Sequence, residues 1–90
     1  MLPADYIGKV IFDAYVVPSC GRGESTVTIR PGEVYKALDG TYRLSFIHGV
    51  LSSMKFRNTY HLPLVGTEGP ALGPPTAYTF KLSMVKSLVS

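Results

Sequence analysis

The sequence predicts a small α+β domain with elements in the order α-β-α-α-β-β. Three observations lead there. Two segments in the middle of the chain, 30–40 and 42–55, carry apolar residues at helical spacing. A short β-branched run, "STVTI" at residues 25–29, precedes them. Two alternating segments near the C-terminus enclose a stretch dense in Gly and Pro, residues 67–75.

The first element spans 4–17, "ADYIGKVIFDAYVV". Ile7, Val10, Ile11, Ala14 and Val17 follow a helical stripe, with Asp5, Lys9 and Asp13 off it. The same β-branched and aromatic residues also suit a strand; helix is the reading taken. Pro18 is expected to end the element, and "SCGRGES" at 19–25 reads as a loop. "STVTI" then reads as a short strand.

In "RPGEVYKALDG" the proline suits a first helical position, and Glu33 suits the positive end of the helix dipole. Val34, Ala37 and Leu38 form one face, and Gly40 is placed to end the helix. Thr41 is an acceptable N-cap for the next helix, 42–55, whose apolar face is Leu44, Ile47, Val50, Leu51 and Met54. "HLPLVG" at 61–66 alternates, and Pro63 confines it to an edge or a bulge. "TAYTFKL" at 76–82 places Tyr78, Phe80 and Leu82 on one side and Thr79 and Lys81 on the other. The expected organisation is a single domain over 1–82 and a short tail, 83–90.

Ninety residues bury roughly 62–65% of the surface their unfolded chain exposes, enough for one modest core. No run approaches the ~18 apolar residues of a membrane span, so no membrane partner is expected. "MLPAD" has no basic segment leading into an apolar one, so no signal peptide is expected. The single cysteine, Cys20, can form neither an internal disulfide nor a cysteine-rich zinc site. A reducing interior such as the cytoplasm fits that usage.

The distribution of charge is more informative than its sum. The chain nets +3, from nine Lys/Arg and six Asp/Glu. Between Gly40 and Thr67 there is no acidic residue, while Arg43, Lys55 and Arg57 lie there. The whole excess therefore sits in one window, and concentrated positive charge attracts polyanions, nucleic acid above all. A mildly basic, merely solvated face is the alternative.

The element order resembles that of the winged helix-turn-helix family. "TVTIRPGEVYKALDG" is similar to the family's short strand and second helix. "TYRLSFIHGVLSSMKF" is similar to its third, recognition helix, and "HLPLVGTEGPALGPPTAYTFKL" to its wing hairpin. The resemblance is one of order and hydrophobic pattern over residues 5 to 82. It implies a short strand paired with the hairpin and a non-enzymatic, DNA-binding protein, cytoplasmic or nucleoid-associated, of a kind that often regulates transcription. It also implies that helix 42–55 enters the major groove of duplex DNA. The wing tip has no Lys or Arg and one acid, Glu68, so the 67–75 loop is a rigid connection or a contact for a protein partner. A protein-interaction module on the same scaffold is the alternative function.

Within that reading, Ser45, His48, Gly49 and Ser52 lie opposite the apolar stripe and would meet base edges. Arg43 would grip guanine or phosphate. Lys55 and Arg57 would reach phosphate beyond the helix, and Arg30 and Lys36 would touch the backbone from the second helix. Gly49 lowers helix stability by roughly 1 kcal/mol relative to Ala, which close approach of DNA or of a neighbouring helix would explain. Phe46 falls outside the stripe, as a core extension or an exposed contact. A homodimer through Met84, Val85, Leu88 and Val89 would enlarge the small interface of a single module.

No catalytic constellation is visible. The six carboxylates are scattered, and His48 and His61 have no third ligand at metal spacing. "CGRGEST" has Thr26 where a phosphatase-type loop needs arginine, and it lacks the Gly-Lys-Ser/Thr of a phosphate-binding loop. No enzyme, metal or cofactor is expected.

Overall fold

A computed structural model describes residues 2–70 and 75–83. Its fold is α+β: helices packed on a three-stranded antiparallel sheet. The elements are α1 (Pro3–Ile11), a π-helical turn (Phe12–Val16), α2 (Val17–Gly21), β1 (Thr26–Ile29), α3 (Pro31–Ala37), α4 (Leu44–Ser52), α5 (Met54–Tyr60), β2 (Leu64–Glu68) and β3 (Ala77–Lys81). One hydrophobic cluster joins all layers, from Ile7, Ile11 and Val16 through Val27, Ile29 and Val34 to Ile47, Leu51, Phe56 and Phe80.

The first segment is helical, as expected, but it does not end at Pro18. Helix runs on to Gly21, so Ser19 to Gly21 are not loop. The π turn explains this. The Val17 N–H bonds to the Phe12 carbonyl, five residues back. The wider turn interrupts the ordinary ladder where Pro18 lacks its donor. The extra residue also rotates the buried face. After Ile11 the next buried side chain is Val16, while Ala14 and Val17 of the expected stripe are exposed. Ser19 is buried, and its Oγ accepts a hydrogen bond from Arg22 Nη2 at 3.1 Å.

β1 forms where its β-branched run suggested. β3 lies in the middle of the sheet, with β1 and β2 on either side. Val27 pairs with Phe80 and Ile29 with Tyr78. Tyr78, Phe80 and Leu82 are buried as the alternation required, with Lys81 exposed. β2 is an edge strand with a bulge between Leu64 and Gly66, and it extends through Thr67 and Glu68, beyond the expected loop boundary. Pro63 stands just outside β2, where its carbonyl accepts from the Lys81 N–H at 2.9 Å. Part of the 67–75 loop, 71–74, and the proposed tail contacts Met84, Val85, Leu88 and Val89 lie outside the described residues.

α3 ends one residue before Gly40 was expected to end it. Asp39 takes the left-handed conformation at φ 55° and Gly40 follows at 69°. The Gly40 N–H bonds to the Tyr35 carbonyl and the Asp39 N–H to that of Lys36, closing a Schellman motif. Of the expected face Val34 is buried and Leu38 half-buried, but Ala37 is exposed.

The expected single helix 42–55 is two helices. Arg43, not Thr41, is the N-cap of α4, and Ser53 leaves helical geometry at ψ 144°. The Ser53 side chain makes the break favourable. Its Oγ accepts from the Phe56 N–H at 3.1 Å and donates to the Val50 carbonyl at 2.8 Å. It thus supplies a partner to both sides of the break. The break rotates Phe56 into the core in place of Met54, which is 62% exposed. Leu44, the other end of the expected stripe, is 43% exposed.

Replacing Ser53 by alanine removes this cap. Urea unfolding should then show a loss of about 1 kcal/mol. Amide exchange should rise first at Phe56, whose N–H loses its acceptor.

Candidate nucleic-acid interface

α4 is held by Ile47, Val50 and Leu51, all buried. A helix buried along that line must present Ser45, Gly49 and Ser52 on its opposite side, and all three are exposed. Among the described residues nothing beyond the local helix backbone lies within 4 Å of where a Cβ on Gly49 would stand, so none of the described helices accounts for the glycine. Ser52 is partly engaged: its Oγ donates to the His48 carbonyl at 2.9 Å and lies 3.3 Å from that of Gly49. Ser45 has no side-chain partner among the described residues.

His48 does not belong to the open face. Its Nδ1 lies 3.0 Å from the Tyr78 hydroxyl, and the two rings meet edge to face at 5.9 Å. Burial pushes the Tyr78 phenol up, so it stays protonated and can donate to an unprotonated Nδ1. The pair ties α4 to the central strand. Tyr78 thus engages one of the two ring nitrogens with which His48 was expected to meet a base edge or a phosphate. The sequence pattern misplaced it because His48 is half-buried beside the apolar face, where Tyr78 on β3 reaches it.

The expected cations divide. Arg43 stands exposed at the N-terminus of α4, and its guanidinium has no ion-pair or hydrogen-bond partner among the described residues. Arg30 is exposed at the N-cap of α3, and Lys36 in its last turn. α3 packs on α4, which brings these elements together. Lys55 is diverted: its Nζ pairs with Asp5 at 3.0 Å, which cancels its charge locally. Arg57 turns back on the junction of α4 and α5. Its Nη2 donates to the Ser52 carbonyl at 3.4 Å and contacts Met54 Sδ at 3.1 Å, while Nε reaches the Ser53 carbonyl at 3.5 Å. The acid-free window is therefore less positive in space than along the chain.

Residues that spacing alone did not bring together flank α4. Phe46 is 39% exposed and stacks obliquely with Tyr42 at 6.1 Å, which meets Tyr6 at 6.4 Å. Tyr42 and Tyr60 both pack against the edge of the core. Among the described residues no three His, Cys, Asp or Glu side chains gather as a metal site, and no helix is long and apolar enough to cross a membrane. No family model, no curated protein and no solved structure matches the chain.

The Tyr78 hydroxyl is directly testable. Tyr78→Phe should cost about 1 kcal/mol in urea unfolding, because it strands the half-buried His48 nitrogen. Burial also raises the phenols of Tyr15 and Tyr60, with Glu33 adding at Tyr15 and Asp13 and Asp5 at Tyr60. All three are held neutral by the fold. Their contribution is fully present below the ordinary tyrosine value of about 10 and is lost as pH rises past it. Ultraviolet titration should show them ionising at higher pH than a free tyrosine.

Proposed function

We propose that the chain binds duplex DNA, with α4 lying in the major groove. The observation that carries this reading is the open face of Ser45, Gly49 and Ser52 on a helix whose first turn begins at the unpartnered Arg43. Short side chains and a bare glycine let backbone approach base edges, and serine hydroxyls can donate or accept there. The strand order β1-β3-β2 and the succession of α3 and α4 before the hairpin agree with the winged-helix resemblance and lend it weight. Arg43, Arg30 and Lys36 are the cations this geometry leaves for phosphate. Transcription regulation is the role such a module would serve.

A second reading draws on Phe46 and Leu44. Both are exposed apolar side chains on α4, and a protein partner would cover them. Salt separates the two. With about three phosphate contacts, the logarithm of the DNA affinity should fall against log salt with a slope near −3. Arg43→Ala should bring the slope closer to −2 and weaken binding at every sequence tested. Absence of duplex binding at about 50 mM salt, where phosphate contacts dominate, would rule the DNA reading out in favour of the apolar contact, and an unchanged slope in Arg43→Ala would remove Arg43 from the phosphate contacts.

A further inference from the structure

α5 ends over a hollow that the duplex reading does not use. Met54, Arg57, Asn58, His61, Leu62 and Pro63 line an open hollow of about 420 Å³. Among the described residues this lining contains a guanidinium, a side-chain amide and an imidazole, and no carboxylate. Apart from Leu62, which is buried, its apolar share includes Met54, whose side chain stands largely in solvent.

One of the donors, Arg57, is held in place, and His61 has its backbone fixed. Arg57 is steered by the carbonyls of Ser52 and Ser53 and the sulfur of Met54. Those contacts leave part of its fork of five N–H groups unused. His61 is fixed in the left-handed conformation at φ 54°, ψ 50°. The Leu62 N–H bonds to the Arg57 carbonyl at 2.9 Å, closing the helix end and placing His61 after it. The side chains of Asn58 and His61 are exposed and have no partner among the described residues.

We propose that this hollow binds a small organic monocarboxylate, its carboxylate on Arg57, Asn58 and His61 and its apolar body against Met54 and Pro63. The planar fork of arginine matches a carboxylate. One permanent cation balances a monoanion but leaves a phosphate dianion with a net negative charge, and the partial negative charge at the C-terminus of α5 opposes the dianion more strongly than the monoanion. The apolar wall has no use for an inorganic ion. Occupancy would also be felt at the α4–α5 junction, because the same guanidinium holds the carbonyls of Ser52 and Ser53. The proposal stands independently of DNA binding.

The test is an amide-resolved NMR titration of the full chain with benzoate, benzamide and inorganic phosphate. Benzoate should shift the amides of residues 53–63 saturably, with a dissociation constant of about 1 mM, reasonable for so few atoms. Benzamide, with the same ring and no charge, should bind at least ~10-fold more weakly, as should Arg57→Gln towards benzoate. His61→Asn keeps a residue that tolerates positive φ and removes the imidazole, so it should weaken benzoate binding in a folded protein. The proposal is overturned if benzoate leaves these amides unmoved, if benzamide or phosphate binds as tightly, or if both folded variants bind benzoate like the unaltered chain.

Discussion

Phe56 is the side chain on which the arrangement of helices and sheet depends. It lies edge to face with Phe80 on the central strand at 5.6 Å, and tilted against Tyr60 at 5.4 Å. On its other side is α1, at Gly8. A Cβ there would stand 3.3 Å from the Phe56 ring, close enough to press on it, and 3.5 Å from Tyr60, in ordinary contact. The packed aromatic position thus requires a bare backbone opposite it and a helix break before it. Ser53 provides the break. Interiors tolerate little slack, so these three residues are one constraint rather than three.

Electrostatics follows from that geometry. Turning α5 away from α4 moves Lys55 beside Asp5 and folds Arg57 over the junction. What the chain concentrates within one window, the fold distributes to three places. Arg43 is left at the head of α4, Lys55 at the α1 side, and Arg57 over the hollow below α5. A surface pair such as Lys55 with Asp5 adds under about 1 kcal/mol to stability. Its larger effect is to remove one cation from what a polyanion would meet.

Much of this fold was legible in the residues. Clean alternation in "TAYTFKL" identified a strand and the side on which Tyr78, Phe80 and Leu82 are buried. Pro31 and Glu33 marked the start of α3, and Pro63 marked the edge of the sheet. The misreadings at Ala14, Val17 and Met54 share a physical cause, which is that a period of 3.6 assumes an unbroken helix. A π turn after Ile11 and a capped break at Ser53 each shift the phase, and the stripe beyond them then selects Ala14, Val17 and Met54 instead of Val16 and Phe56. Ser53 three residues before Phe56 was a local signal for the break; nothing comparable in the chain announces the π turn. For the candidate site, the small polar face of α4 was readable from spacing, whereas His48 was not, because its partner is thirty residues away on β3.

The π turn has a mechanical consequence for the first helical segment. The segment is one rod with two faces out of phase. Its early half, through Ile7 and Gly8, leans on α4 and the aromatic side chains of α5, and its later half, around Val16, leans on β1. A uniform helix would turn one continuous stripe towards a single layer. The extra residue lets the rod act as a twisted strut, braced at one end by the helical layer and at the other by the sheet, so that a tilt imposed on α4 is carried into the strand that flanks the hairpin's inner edge.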